Sequence, residues 1–523
     1  MKQLWKPTFW AKTLVLLLIL VQFVCVSVFV FWLADYSFHA NNGTYALLSA
    51  LVLFITDIVF GIAIFNSDSP NAYKLTWLFA VFALPIAGIL MYVFWANKST
   101  SKSQKKKVAK FERPVNASPS TALEALQEKM PDYCGLVRYL DLAAGSGAHQ
   151  QTSSLYFDLV DKAYPVILEE LAKAKHYIFL EFFIIGEGEM WDGIEKILIQ
   201  KVSQGVDVRI IYDDVGSLQC APDFFDARLR KKGIECRKFN PWRPFMDVRL
   251  NNRDHRKMII VIDGHTAFSG GFNLADEYIN RIDRFGHWKD NAIMLKGKAV
   301  ENFTYMFLAN WKTYFFPNLE IDKAHYSSKT FIDEIGGYPE NDGFVAPYGD
   351  IPYQREAVGE RVYLGLMARA KKSVYMATPY LILDEEMINS ICFSAKEGLD
   401  VRLLVPHIPD KKMVFNLTRS YYEKLLEAGV KIYEYTPGFV HEKMFVIDDN
   451  AASVGTINLD YRSFFLHMEN GTLFLNSSSI QQMKKDFLQT IDVSHEVTLQ
   501  EWKRWKKRNR CYWAMLRLIS PIL

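Results

Sequence analysis

Two stretches of this chain carry the same short pattern in the same surroundings, and that repeat narrows the possible folds more than any other feature. The first reads His255-Arg-Lys257-Met-Ile-Ile-Val-Ile-Asp263, followed by Gly270-Gly-Phe-Asn273. The second reads His441-Glu-Lys443-Met-Phe-Val-Ile-Asp448, followed by Gly455-Thr-Ile-Asn458. In each, six residues separate the Asp from the Gly. The surroundings repeat as well. Tyr177-Ile-Phe-Leu-Glu-Phe and Ser373-Val-Tyr-Met-Ala read as strands; Gly205-Val-Asp-Val-Arg and Gly398-Leu-Asp-Val-Arg read as the next pair, each after a helical stretch. Gly233-Ile-Glu-Cys-Arg answers Gly429-Val-Lys-Ile-Tyr, and Asp290-Asn-Ala answers Glu469-Asn-Gly. Strand and helix alternating twice over predicts an α/β fold of two similar halves. Neither half holds a complete site, so two halves facing one another would bring His255 and His441 together.

The residue types suit phosphodiester chemistry. His and Lys two apart on a strand project from one face, so His255 with Lys257, and His441 with Lys443, can reach one phosphate. The lysines supply positive charge where a transition state carries negative oxygens, and Asn273 and Asn458 can donate further hydrogen bonds. One imidazole can attack phosphorus while the other protonates the leaving alkoxide. Asp290 and Glu469 are candidates to accept the second N–H of each ring. No CxxC pair or Cys/His cluster occurs among the six cysteines, so no metal and no cofactor is expected.

The front of the chain has a different composition. Apolar runs over 13–33, 44–65 and 75–96 are each long enough to span a bilayer core; only the second carries a charge, Asp57. Asp57 faces either a polar partner or a shallow depth, and Pro85 is tolerable inside a membrane helix. Lys2, Lys6 and Lys12 precede the runs, and Lys98, Lys102, Lys105, Lys106, Lys107, Lys110 and Arg113 follow them. The larger basic cluster places the C-terminal part in the cytoplasm. With a net charge of only +3, a polycation built to coat nucleic acid is not indicated. The expected organisation is a membrane region over 1–97, a basic linker over 98–149, halves over 150–330 and 331–498, and a tail over 499–523. In that tail Trp502, Trp505 and Trp513 alternate with Lys and Arg, which suits an anionic lipid surface, packing on the domain's own core, or nucleic acid.

The two segments resemble the paired HxK(x4)D motifs of the phospholipase D superfamily. With Trp77-Leu-Phe-Ala-Val-Phe-Ala-Leu-Pro85-Ile-Ala-Gly88, Asn273-Leu-Ala-Asp-Glu-Tyr278 and Thr378-Pro379-Tyr380, the likeness narrows to the bacterial cardiolipin synthases. The resemblance implies two phospholipase D-like α/β sandwich subdomains forming one site behind transmembrane helices. It implies a multi-pass protein of the cell membrane that acts on phosphatidylglycerol, with cardiolipin and glycerol as products. His255 would be the nucleophile of a phosphatidyl-histidine intermediate and His441 the general acid/base, with Lys257, Lys443, Asp263 and Asp448 completing the motifs. Other reactions of the same site, lipid hydrolysis, phosphatidylserine synthesis or nuclease action, remain open on the residues alone, as does a non-catalytic scaffold binding anionic lipid.

Three departures from the family pattern stand out. Five residues separate Lys257 from Asp263, but four separate Lys443 from Asp448; a β-bulge in the first copy would absorb the extra one. Gly271 stands where the superfamily often has Ser. His467 stands where the family usually has Asn.

Overall fold

The computed structural model of the chain describes residues 43–96, 120–241, 252–261, 263–322, 324–334, 336–352 and 356–522, with Val28 and Asp35. The run over 13–33 (apart from Val28), the N-terminal lysines and the basic cluster over 98–113 lie outside them. The described residues form two compact units, one over 120–241 and 252–517, the other over 43–96 and 518–522.

The larger unit carries the repeat in its strand order. Its first sheet uses β1 (Thr152–Phe157), β2 (Tyr177–Phe182), β3 (Asp207–Asp213), β4 (Glu235–Phe239), β5 (Lys257–Val261), β6 (Thr266–Gly270) and, beyond the short β7 (His287–Lys289), β8 (Ala292–Gly297). The second half supplies β9 (Phe344–Asp350), β10 (Ser373–Ala377), β11 (Leu381–Ile382), β12 (Asp400–Pro406), β13 (Lys431–Tyr435), β14 (Gly438–Val440), β15 (Met444–Ile447), β16 (Ala451–Gly455), β17 (Leu459–Asp460), β18 (Glu469–Leu475) and β19 (His495–Val497). The first sheet runs β1-β8-β6-β5-β2-β3-β4; the second runs β9-β18-β16-β15-β10-β12-β13-β19. Position by position the two orders match, with β19 added at one edge.

Strand β2 shows why such sheets form. All six of its residues are buried, the mark of a strand covered on both faces. Tyr177 and Phe179 join a core built from both halves, which includes Phe303 and Phe307 of the first and Tyr375, Val446 and Phe487 of the second. Ile178, Leu180 and Phe182 face the other way, into a core under the helices Val160–Lys173 and Glu189–Ser203. Each buried large side chain contributes about 1.5–3 kcal/mol, so the shared core holds the halves together.

The extra residue of the first copy does not make a bulge. Pairing of β5 with β2 is unbroken from Lys257 to Ile260, and with β6 from Met258 to Val261. Val261 pairs with Thr266, whereas Ile447 pairs with Ala451, so the insertion lies in a hairpin turn that is one residue longer. A turn accepts an added residue without disturbing the ladder, which a strand cannot do.

In the smaller unit the helices Gly43–Phe65 and Asn71–Ala83 are followed by Ala87–Met91 and the wider turn Tyr92–Ala96. Within Gly43–Phe65, the stretch Leu48–Phe65 is the one long and apolar enough among the described residues to cross a membrane. Asp57 is buried there, with one carboxylate oxygen unpartnered. The expected single span over 75–96 is broken. Proline cannot donate to the preceding turn and pushes the residue before it out of helical geometry; Leu84 takes φ −130° and Ile86 φ 67°. The chain then turns back on itself, and Gly88 packs where a Cβ would come within 2.1 Å of the Ala80 carbonyl oxygen.

The tail forms the helix Leu499–Ile519. Two tryptophans serve the core: Trp502 Nε1 donates to the Arg419 carbonyl at 2.6 Å and Trp513 Nε1 to Asn416 Oδ1 at 3.1 Å. Lys503, Arg504, Lys507, Arg508 and Arg510 remain exposed.

Candidate active site

Two short pieces of sheet join the halves, and both end at a histidine. Strand β14 pairs in parallel with β7, and the His441 N–H donates to the Lys289 carbonyl at 2.8 Å. Reciprocally, Asp254 bridges to Met468, and the His255 N–H donates to the Met468 carbonyl at 2.9 Å. The next residue after each acceptor is an acid from the opposite half: Asp290 follows Lys289, and Glu469 follows Met468.

The acids therefore serve the histidines crosswise. His441 Nδ1 lies 2.7 Å from Asp290 Oδ2, and His255 Nδ1 lies 2.9 Å from both oxygens of Glu469. A carboxylate on Nδ1 keeps the proton there and leaves Nε2 with the lone pair. Glu469 is held by the hydroxyls of Thr456 and Ser463, the latter at 2.7 Å. Asp290 has no such hydroxyl because Gly271 stands opposite Thr456 in the repeat. A Cβ on Gly271 would lie 2.1 Å from Asp290 Oδ1 and 2.9 Å from the His441 carbonyl oxygen. Gly271→Ala is expected to push Asp290 off the ring and to lower turnover by about a hundredfold, as ångström-scale misplacement does. Steady-state rates beside a thermal melt close to that of the parent would check this.

The lysines complete the cluster. Lys257 Nζ donates to the His255 carbonyl at 2.7 Å, and Lys443 Nζ donates to the His441 carbonyl, 3.0 Å from its Nδ1. Burial, opposed by Glu469, pulls Lys257 down to about 7. Burial, opposed by Asp290 and Glu469, pulls Lys443 to about 8. The imidazoles are depressed too. Burial and then Lys443 take His441 to about 4. Burial, followed by Lys257, His467, Lys443 and His441, holds His255 well below its ordinary value. Both motifs thus act within one electrostatic neighbourhood, with neutral rings and ammonium groups that an arriving anion would favour. Burial raises Glu469 above the usual carboxylate range, against Lys257 and the two hydroxyls.

The remaining expected residues stand elsewhere. Asp448 lies in the hairpin turn at φ 52°, where its carboxylate accepts from the backbone N–H groups of Lys371, Lys372 and Ser373 at 2.7–2.9 Å. Asp263, at φ 58°, faces the equivalent backbone of Tyr177 and His176. Both hold the far end of a central strand and do not join the histidines, which corrects their expected catalytic place. Asn273 engages protein partners: Oδ1 accepts from Ile184 N at 3.1 Å and Nδ2 donates to the Tyr278 hydroxyl at 2.5 Å. The Asn458 side chain turns to Asp460, and its Oδ1 has no partner.

Sequence reasoning missed the ring walls. Tyr278 and Trp288 each lie 5.4 Å from the His441 ring, and Phe183 lies 4.9 Å from that of His255. Tyr278 sat within a stretch that carried the family likeness; Ser463 gave no signal. His467 lies 5.4 Å from the His255 ring. Among the described residues, His255, His467 and Glu469 are a group with ligand atoms close enough to hold a metal ion, all within 4.8 Å of one another.

Comparison with known proteins finds relatives across both halves. The family profile described as "Cardiolipin synthase, PLD-like domain" matches residues 167–311 and 363–491, one segment per half. The chain is 41% identical to an uncharacterized protein of Streptococcus mutans over 462 residues, covering 88% of this chain and 98% of that one. It is 34% identical to a cardiolipin synthase of Geobacillus kaustophilus over 483 residues, covering 91% and 93%. Among solved structures, a phosphatidylserine synthase of Haemophilus influenzae aligns with a TM-score of 0.53 at 14% identity, covering 75% of this chain and all of that one; this likeness concerns the fold.

Proposed function

Since the chain belongs to the cardiolipin synthase family of phospholipase D-like proteins, we propose that it is a phosphatidyltransferase that makes cardiolipin from two molecules of phosphatidylglycerol. The crosswise pairing of two imidazoles with Asp290 and Glu469 is the observation that carries this reading. His255 Nε2 attacks the phosphorus of the first lipid. The P–O bond to its terminal glycerol breaks, and His441, which takes up a proton on Nε2 when the phosphate anion binds, delivers that proton to the departing oxygen. A hydroxyl of the second lipid then gives its proton to His441 and attacks phosphorus, and the P–N bond breaks. Lys257 and Lys443 hold the phosphoryl oxygens throughout, while Asp263 and Asp448 hold the starts of β2 and β10, the strands that pair with those continuing each motif.

The stretch Leu48–Phe65 crosses the cell membrane, and the basic helix of the tail rests its exposed face on anionic lipid. The protein is then an integral membrane one, with its catalytic halves in the cytoplasm over 150–330 and 331–498.

Incubating the purified protein with phosphatidylglycerol tests the reading. Cardiolipin and glycerol in equal amounts are expected; phosphatidic acid in their place would make water the acceptor and the protein a hydrolase. The pH dependence is a second check. Depressed lysines lose their charge as pH rises through their folded values, about 7 and about 8. Protonation of His255, which burial and then Lys257 hold well below its ordinary value, removes the attacking lone pair on the acid side. The kcat/KM profile should therefore be bell-shaped, falling above neutrality, while kcat holds to higher pH because bound phosphate keeps the lysines protonated.

A further inference from the structure

Beside the two reacting histidines stands a third imidazole that the proposed chemistry leaves idle. The His467 side chain is 10% exposed, and neither ring nitrogen has a hydrogen-bond partner. Folded proteins rarely keep buried polar atoms unsatisfied without a reason such as an absent ligand. The backbone that carries the ring is firmly placed: the His467 backbone N–H donates to the Arg462 carbonyl at 2.8 Å, and that of the next residue, Met468, to the Arg253 carbonyl at 2.8 Å.

What surrounds the ring points to the ligand class. His467 Nδ1 lies 3.8 Å from Glu469 Oε1, and that same oxygen lies 2.9 Å from His255 Nδ1. Ligands held at about 2.0–2.2 Å on a tetrahedral ion sit roughly 3.3 Å from one another. The two spacings straddle that value and the whole set lies within 4.8 Å, so the His467 ring has to rotate toward the carboxylate to close the set. Two imidazoles and one carboxylate suit zinc and its neighbours, not the oxygen-seeking magnesium or calcium. Arg462, Arg253, Lys257 and Lys411 surround His467. Those cations oppose a dication; Glu469 supplies the opposing charge at the centre of the set.

We propose that His255, His467 and Glu469 form a site for a zinc-like divalent ion, and that filling it stops the enzyme. The second half of this statement rests on the transferase reading; the first does not. Coordination through Nδ1 moves the single proton of neutral His255 onto Nε2. The lone pair that would attack phosphorus is then gone, and Glu469 leaves its orienting role to become a ligand. A water completes the fourth position.

Cobalt(II) titration of the full-length protein tests the site independently of activity. One equivalent should give tetrahedral d–d absorption without the thiolate charge-transfer band that cysteine would add, and zinc should displace it. Zinc should inhibit cardiolipin formation over the same range, with a chelator restoring the rate. His467→Asn should keep the basal rate, lose the cobalt spectrum and need at least about tenfold more zinc for half-inhibition, since losing a ligand costs no less than losing its outer-shell support. Parent protein without the tetrahedral spectrum, or equal zinc sensitivity in H467N, would overturn the proposal.

Discussion

Replacing either His255 or His441 with Ala lowers cardiolipin formation by roughly ten-thousand-fold or more, and replacing both lowers it little further. The expectation follows from residues that act as one unit, whose single removals cost nearly as much as joint removal. Without the attacking ring no covalent intermediate forms; without its partner the departing glycerol oxygen leaves as an unprotonated alkoxide. The two side chains are 9% and 10% exposed, so truncation opens space beside the pocket without emptying a core. The variants should therefore melt close to the parent. Product formation measured by radiolabelled phosphatidylglycerol, with a melt on each sample, separates lost chemistry from lost fold.

The crosswise acids give the second large effect. Asp290→Asn is expected to reduce turnover by about a thousandfold or more, because an amide facing Nδ1 no longer fixes the tautomer; an equivalent change in a Ser-His-Asp triad costs about ten-thousand-fold. Glu469→Gln should behave alike, with Thr456 and Ser463 holding the amide in place. The two substitutions differ in which ring they disturb. Asp290 shares a half with His255 yet touches His441 at 2.7 Å. Imidazole nitrogen NMR should show D290N moving the His441 signals and leaving those of His255 in place, with E469Q doing the reverse. Disturbance within the same half would contradict the arrangement of β7 and β14.

This crosswise pairing marks where the sequence stops being readable. A spacing of two puts His255 with Lys257 and His441 with Lys443, because side chains alternate along a strand. That both halves share one strand order was legible from the same repeat. Which acid meets which ring depends on pairing between β7 and β14 and between Asp254 and Met468, contacts distant in the chain that no local pattern encodes. An offset of one before Asp263 does not say whether a strand or a turn took the insertion; the register of β5 does. Asp448 shares the motif with the histidines, yet the turn at φ 52° sends its carboxylate to the start of β10. Pro85 could sit within a straight membrane helix, but with Gly88 packed on Ala80 the chain turns instead. In the tail, tryptophans among basic residues suited several surroundings, and hydrogen bonds to Arg419 and Asn416 decided for Trp502 and Trp513.

Orthovanadate offers the most direct look at whether both imidazoles address one phosphorus. A crystal structure of the protein soaked with it should show a single vanadium bonded to Nε2 of one histidine, with the other histidine's Nε2 in hydrogen-bond reach of an oxygen on the opposite side and both lysines on the equatorial oxygens. Vanadate bound to only one motif, with the second histidine turned into another cavity, would contradict the account.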